Sequence, residues 1–410
     1  MKRVFKVLLV AVILIVGYYT YLYIKEKTTD YGHKVVVCIP VYGQSLALGE
    51  EAVRITDFEK LKKDYDGRIL SENLDYDFGY FEYNPLKKFI KKLIRYQKRS
   101  FELSVYGMAE LLAKELGKDT IICIFPGGQG ATLLKDLGKG STPYNNFLSD
   151  IQHAYEKAKK RKWDFYVPAI CWMQGESDIV DYPNTDYKSL LKQFSTDINQ
   201  DIIKMTRQDC PVHLICYQTN SLSLGERFDA TQFECIEVAV PQALLELTRD
   251  DSLFCSSGPI YPYSYAREFV HIDGESQKKI GKIEAISALK IIRKQDSFYG
   301  LIPKEVVAIG NDIVISFMNN KTVLVFDTTN VRKADNYGFN VITETRKDII
   351  SSVSLEDSIV RISCVESPNG SKIRYAINGE SMKSGNQNGP RGNLRDSNNN
   401  WCYQFETTIK

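Results

Sequence analysis

The hydrophobic positions between residues 34 and 295 alternate between short continuous runs and longer stretches with helical spacing. Four apolar runs are typical of strands buried on both faces of a sheet, at residues 35–39, 120–125, 165–172 and 212–217. Helical spacing marks the stretches 101–116, 144–160, 187–203, 234–247 and 275–292. Strands that alternate with helices of this length predict a mostly parallel sheet covered by helices on both faces.

The hydrophobic pattern changes after residue 299. Short runs with alternating apolar and polar residues replace the helical spacing, at residues 312–317, 322–326, 359–364 and 372–376. Turns rich in Asn, Gly and Asp separate these runs, which is typical of an antiparallel β-sandwich. We therefore predict an α/β domain over residues 31–298 and a smaller C-terminal β-sandwich domain over residues 299–410.

The first residues carry a different signal. Met1, Lys2, Arg3 and Lys6 are followed by 18 uncharged residues, 7–24, which is just enough for a helix to cross a bilayer. The run ends in a tyrosine cluster suited to a membrane interface, and no small-x-small cleavage site follows it. We expect residues 1–30 to form a transmembrane anchor and linker that hold the body of the protein on the extracytoplasmic side. A cleaved signal segment, with secretion of the body, is the alternative.

Charge and cysteine content exclude several classes of protein. The 53 basic and 51 acidic residues leave a net charge of +2, which argues against a nucleic-acid partner bound through phosphate neutralisation. The nine cysteines contain no CxxC pair and no cluster at zinc spacing, which argues against a metal site.

Glycine turns follow three of the predicted strands. They are Gly43-Gln44-Ser45, the segment 127–130 and the segment 174–178. Because the carboxyl ends of parallel strands meet at one edge of a sheet, these turns should lie close together. Glycine turns let backbone N–H groups approach a developing oxyanion, and the side-chain amide of Gln174 can add a neutral donor. The Ser45 hydroxyl needs a histidine to accept its proton before it can act as a nucleophile.

Only one of the four histidines lies in a context that suits a catalytic base. His33, His153 and His213 occupy positions typical of surface or core histidines. His271 lies in a loop late in the α/β region, and Glu268 precedes it by three residues. A carboxylate at that spacing can accept the Nδ1 proton and hold the useful tautomer, so His271 is the candidate base.

Four short blocks carry a resemblance to a known family. The blocks Tyr42-Gly-Gln-Ser45, 127–130, 172–178 and Glu268-Phe-Val-His271 resemble those of SGNH-type hydrolases. The resemblance is to the sialate O-acetylesterase and acetylxylan esterase branch, and it covers about residues 34–295. It implies a flavodoxin-like three-layer α/β/α fold, a carboxylic ester hydrolase, and removal of an O-acetyl group from a sugar without a metal or cofactor.

The same resemblance assigns roles to individual residues. Ser45 would be the nucleophile, His271 the base and Glu268 its partner. The family usually has Asp at the position of Glu268, so Asp273, or no acid at all, stays an alternative. The oxyanion donors would be the N–H groups of Ser45 and Gly130 and the Gln174 amide, with Gly128 as the alternative to Gly130. Supporting roles would fall to Gln44, Glu176 and Asp178.

Two other functions remain open at this stage. With the same Ser45 and His271 site, the protein could transfer the acyl group to a cell-envelope glycan as an O-acetyltransferase. It could also be a non-catalytic glycan-binding protein that uses its β-domain. The acetylated carbohydrate itself stays undefined among sialic acid, xylan, pectin and other glycans.

Overall fold

A computed structural model describes most of the chain. The described residues are 9–18, 20–21, 24, 32–71, 101–181, 186–220, 238–267, 269–295, 300–318, 322–343, 348–379 and 383–410. They form a parallel α/β unit followed by antiparallel sheets, in agreement with the change of hydrophobic pattern near residue 299.

The centre of the α/β unit is a parallel sheet in which three strands are interrupted near their middle. Strand β1 (Val35–Cys38) continues as β2 (Val41–Gly43) after Pro40, which has no N–H to donate to a neighbouring strand. The Ile39 N–H still bonds to Cys123 O, and Pro40 O accepts from Cys171 N, so the sheet stays continuous across the break. The other strands are β3 (Ile69–Ser71), β4 (Thr120–Ile124), β5 (Pro126–Gly128), β6 (Asp164–Tyr166), β7 (Ala169–Met173), β8 (His213–Gln218) and β9 (Phe254–Pro259).

The strand order places the first strand in the middle of the sheet. One half has the order β3-β4-β1-β6 and the other has β5-β2-β7-β8-β9, and all these pairs are parallel. The carboxyl ends of β2, β5 and β7 are therefore neighbours at one edge. This arrangement brings the three glycine turns together, as the sequence pattern predicts.

Helices cover both faces of the sheet. They are α1 (Phe58–Asp64), α2 (Ser104–Glu115), α3 (Thr142–Lys160), α4 (Glu176–Asp181), α5 (Tyr187–Thr206), α6 (Ala239–Asp250) and α7 (Gly274–Ile292). Short 3₁₀ helices lie at Leu134–Asp136 and Asp335–Gly338. Alternate residues of β1 enter two apolar clusters: Val36 packs with α3 and α5, and Val37 packs with α2 and α7. The predicted α/β fold with a parallel sheet is confirmed.

Capping residues account for several helix starts. Ser141 accepts from Tyr144 N at the start of α3, and Asp273 accepts from Ser276 N at the start of α7. Helix α6 begins at Ala239, so Pro241 lies in its first turn, where no intrahelical N–H bond is lost. The sequence pattern predicted a start near residue 234, which lies outside the described residues.

The residues after 299 form antiparallel sheets. Four strands pair in the order β10 (Pro303–Ile309), β11 (Asp312–Phe317), β15 (Ile359–Cys364) and β14 (Ile350–Glu356). A second sheet contains β13 (Phe339–Ile342), β16 (Lys372–Tyr375) and β18 (Phe405–Thr408), and β12 (Leu324–Phe326) pairs with β17 (Leu394–Asp396). The buried side chains of these sheets share one apolar core, which also includes Leu245 and Tyr261 of the α/β unit.

The predicted membrane anchor is described only in part. Residues 9–18 are helical and expose their apolar side chains, whereas residues 7, 8, 19, 22 and 23 of the uncharged run are outside the described set. Over the described part of the chain, no helix combines the length and the apolar character that crossing a membrane requires.

Candidate active site

Ser45 lies immediately beyond β2, in a turn that the backbone fixes tightly. Gln44 N donates to Met173 O at 3.0 Å, and Ser45 O accepts from the N–H groups of Leu48 and Glu50. A Cβ atom added to Gly43 would lie 2.0 Å from Met173 O, so only glycine allows β2 to approach β7 this closely. The result is a serine held at the carboxyl edge of the sheet with its side chain largely buried.

His271 meets Ser45 from the far end of the α/β unit. Its Nε2 atom lies 2.8 Å from Ser45 Oγ, which is hydrogen-bonding distance for proton transfer. The loop that carries His271 is closed by a bridge between Tyr265 and Ile272, and His271 O accepts from Ala266 N. The structure thus brings together the two residues that the sequence singled out as nucleophile and base.

The second ring nitrogen of His271 faces a carboxylate that the sequence analysis did not select. Glu51 Oε2 lies 3.2 Å from His271 Nδ1, and Glu51 Oε1 lies 3.3 Å from Arg267 Nη1. Glu268, the partner predicted from its spacing, is outside the described residues. Asp273, the alternative partner, caps α7 with its Oδ1 atom. Among the described residues, the carboxylate at His271 Nδ1 therefore belongs to Glu51.

The two candidate oxyanion glycines have different surroundings. Gly128 has φ +116°, and a Cβ atom added there would lie 1.8 Å from Gly43 O, so its role is to let β5 and β2 pack. A Cβ atom added to Gly130 would lie 3.7 Å from Ser45 Cβ and would clash with nothing. Gly130 is thus the glycine adjacent to the nucleophile, whereas Gly128 is a structural one.

Gln174 does not present its amide to this site. Its Nε2 atom donates to Thr132 O at 3.2 Å and to Asp178 Oδ2, so both amide hydrogens are committed to protein acceptors. The opposite orientation of the amide would place its oxygen against two other oxygens. The sequence-based role of Gln174 as an oxyanion donor is corrected accordingly: its amide braces the loop.

Asp178 and Gln44 link the three turns to one another. Asp178 Oδ2 accepts from Leu134 N at 2.9 Å as well as from Gln174, which ties the turn after β5 to the turn after β7. Gln44 Oε1 accepts from Ser177 N at 3.3 Å, which ties the serine turn to the start of α4. These contacts hold the three turns in a fixed relation to one another.

Glu176 is a buried carboxyl group behind the site. Its Oε1 atom accepts from Tyr217 and Thr219 hydroxyls, each at 2.6 Å. Burial raises the pKa of Glu176, and the two hydroxyls and the nearby His271 act in the opposite direction. These hydrogen bonds suit a residue that braces the end of β8 against α4.

The remaining histidines that the structure places lie away from this edge. His33 pairs with Asp164 at the start of β6, and His213 Nδ1 lies 3.2 Å from Pro168 O at the start of β8. Burial lowers the pKa of His213. Glu51 is the functional candidate that sequence reasoning missed, and the only available signal was an acidic pair, Glu50-Glu51, in the loop that follows Ser45.

Comparison with known proteins identifies the family of this chain. The family model described as carbohydrate esterase, sialic acid-specific acetylesterase, matches residues 43–290, a span that contains Ser45 and His271. A comparison with curated protein sequences finds no match.

Three solved structures that are similar to this chain have low sequence identity to it. A carbohydrate acetylesterase from Xanthomonas citri is 13% identical with a TM-score of 0.58, covering 90% of this chain and 80% of that chain. A protein from Arabidopsis thaliana is 17% identical with a TM-score of 0.43, and the match covers 62% of this chain and 97% of that chain. NanS is 13% identical with a TM-score of 0.42, and the match covers 64% of this chain and 99% of that chain.

The resemblance drawn from four short blocks is therefore confirmed over the α/β unit. The chain belongs to the carbohydrate esterase family of sialic acid-specific acetylesterases and is a carboxylic ester hydrolase.

Proposed function

We propose that this protein removes O-acetyl groups from a glycan or sialic acid through an acetyl-serine intermediate. The observation that carries the proposal is the distance of 2.8 Å between Ser45 Oγ and His271 Nε2, at the edge where three glycine turns meet. Membership of the acetylesterase family supports the choice of an acetyl ester as the substrate.

The reaction needs only groups that the site contains and water. His271 Nε2 takes the Ser45 proton while Oγ forms a bond to the acetyl carbonyl carbon. The bond from that carbon to the sugar oxygen then breaks, and His271 gives the proton to that oxygen, which leaves as the sugar hydroxyl. A water molecule then loses a proton to His271 and attacks the acetyl-serine carbonyl carbon. The bond from that carbon to Ser45 Oγ breaks, His271 gives the proton to Oγ, and acetate is released.

Two backbone N–H groups are proposed to stabilise the oxyanion of each tetrahedral intermediate. They belong to Ser45 and Gly130, and within the described part of the chain neither N–H has a hydrogen-bond acceptor. Unoccupied donors beside the nucleophile are what an oxyanion requires. Gln174 supports this arrangement indirectly, because Asp178 ties it to the turn that carries Gly130.

Residues 31–298 are proposed as the esterase unit and residues 299–410 as an accessory β-unit. We propose that residues 1–30 anchor the esterase on the extracytoplasmic face of a membrane, on the basis of the 18 uncharged residues 7–24 after a basic start. The full chain should then sediment with membranes, and a chain that begins at residue 31 should not. A full chain that stays in the soluble fraction without being shortened would contradict the anchor.

The experiment that tests the activity compares wild type with Ser45→Ala on a panel of O-acetylated sugars. We expect wild type to release acetate, and we expect Ser45→Ala to lower kcat by about 10⁴-fold or more, since loss of a triad nucleophile has that effect in related chemistry. Ser189→Ala, an exposed serine on α5, is the matched control and should keep wild-type activity. Full activity of a folded Ser45→Ala variant would contradict the proposal.

A further inference from the structure

We infer that Glu51 is the positioning residue that holds His271 in the tautomer and orientation needed to activate Ser45. This inference rests on the proposed function. It is carried by the placement of Glu51 Oε2 at 3.2 Å from His271 Nδ1, with Glu51 Oε1 at 3.3 Å from Arg267 Nη1. Glu51 comes from the loop that follows the nucleophile, not from the loop that carries the histidine.

The loop between Ser45 and Glu51 is fixed at both ends, so the two side chains keep a constant relation. Gln44 N is bonded to Met173 O at one end. At the other end Ala52 O accepts from Glu102 N at 2.9 Å, and Ala52 N donates to Gly49 O. A single rigid segment therefore presents the nucleophile and the carboxylate to opposite nitrogens of the same imidazole ring.

The backbone of Glu51 is in a conformation that glutamate disfavours. Its φ of 63° lies in the left-handed region, where the side chain of an ordinary residue crowds the following carbonyl. Such strain persists where the surrounding structure fixes it, and it is concentrated at functional sites. Here the strained backbone directs the carboxylate toward His271.

The electrostatics of the contact suit the proposed role. His271 acquires positive charge when it takes the Ser45 proton, and the Glu51 carboxylate facing Nδ1 stabilises that charge. Arg267, which is 78% exposed, contacts the other oxygen and so limits rotation of the carboxylate. Glu176 Oε1 accepts from the Tyr217 and Thr219 hydroxyls, and among the described residues the carboxylate that contacts the His271 ring nitrogen Nδ1 is that of Glu51.

The first experiment replaces Glu51 by its neutral isostere. Glu51→Gln should lower kcat/KM by about 10²-fold or more, approaching the roughly 10⁴-fold effect of the corresponding change in serine proteases. Removal of the negative charge should also move the acidic limb of the kcat/KM profile to lower pH, because the protonated imidazole loses a partner. Glu59→Gln, which removes a negative charge from α1, is the control for charge alone.

The second experiment separates positioning from a structural role. Asparagine tolerates the left-handed region better than glutamate, so Glu51→Asn should keep or raise the Tm while kcat/KM falls as in Glu51→Gln. A residue that served only to hold the loop would lose stability and activity together.

The possible results distinguish a failure of the Glu51 inference from a failure of the proposed function. Unchanged kcat/KM and pH profile in folded Glu51→Gln and Glu51→Asn, beside an active wild type that needs Ser45, would overturn this inference alone. A larger loss in Glu268→Gln than in Glu51→Gln would also overturn it. Wild type that neither releases acetate nor depends on Ser45 would defeat the proposed function and this inference with it.

Discussion

Glu284 carries a fully buried carboxyl group on α7, and it forms no salt bridge among the residues that the structure describes. Burial raises the pKa of Glu284 to about 7, against the smaller opposite effects of the Ser104 and Cys171 side chains. In the folded protein this group is therefore neutral at mildly acidic pH, whereas in the unfolded chain it ionises near the ordinary value for glutamate.

This difference predicts how stability depends on pH. Since the folded state holds the proton more tightly, the free energy of unfolding should fall as pH rises from about 4.5 to 7 and stay lower above that. Glu284→Gln keeps a neutral side chain at every pH. Its free energy of unfolding should therefore exceed that of wild type by an amount that grows with pH to roughly 3 kcal/mol at pH 8.

Urea unfolding of both proteins at a series of pH values measures this difference in the free energy of unfolding. The exposed residue Glu156 provides the control, and Glu156→Gln should follow the wild-type profile. If the free energies of unfolding of Glu284→Gln and wild type differ by the same amount from pH 5 to pH 8, the claim that the buried carboxyl group is neutral in the folded protein would be contradicted.

At the scale of single residues, the sequence predicted positions better than side-chain directions. Ser45 follows a strand end and His271 precedes a capped helix, and both features can be read from local pattern. The direction of the Gln174 amide depends on Asp178 and Thr132, and the approach of Glu51 to His271 depends on how two distant loops meet. Neither the amide orientation nor the Glu51–His271 contact can be predicted from the hydrophobic periodicity of the sequence.

At the scale of elements, close packing of strand ends builds the site. Gly128→Ala should prevent correct folding, because its Cβ atom would lie 1.8 Å from Gly43 O and its φ is +116°. Gly130→Ala is the matched control, since its nearest neighbour would be Glu50 Oε2 at 3.4 Å.

Soluble yield and Tm of the two variants test this difference. We expect Gly128→Ala to be insoluble or to lose several degrees of Tm, as backbone overlap in a packed sheet requires movement of β2 or β5. A Tm within a degree of wild type for Gly128→Ala would show that these strand ends have more freedom than the structure indicates.

The elements that sequence analysis found share one property. Strands β1, β4, β8, β11 and β15 are rich in β-branched or other large apolar residues, and their positions were predicted within a residue or two. Strand β9 was missed because its sequence, Phe254-Cys-Ser-Ser-Gly-Pro259, has low strand propensity and is held in place by its parallel neighbour β8. Strand β17 lies within the stretch 385–400, which is rich in glycine and asparagine and has low strand propensity, and tertiary pairing with β12 determines it.

At the scale of the whole molecule, the β-unit is joined to the sheet by a buried polar network. Gln218 Nε2 donates to Gln404 O at 2.8 Å, and Gln404 N donates to Gln218 Oε1 at the same distance. The Gln404 side chain also donates to Asn220 Oδ1 and to Ala376 O. Residues at the carboxyl end of β8, beside the site, are thus held by the C-terminal sheet.

This network predicts that the two units unfold together. Gln404→Ala leaves the Asn220 and Ala376 oxygens buried without that donor, so it should lower stability by about 2 kcal/mol. Gln193→Ala, which removes an exposed hydrogen bond to Asp197 on α5, should lower the stability far less.

Differential scanning calorimetry gives the test of this coupling. We expect a single transition for wild type and a single, lower one for Gln404→Ala. Two resolved transitions in wild type would show that residues 31–298 and 299–410 are independent, against the shared core and the glutamine network.

The central claim is that Ser45 forms a covalent intermediate with His271 as its base, and peptide mass spectrometry after reaction with a fluorophosphonate tests it most directly. The account predicts one adduct on wild type, located at Ser45, and none on folded Ser45→Ala, with greatly slowed labelling of His271→Ala. An adduct on another serine, or a folded and unlabelled wild type, would contradict it.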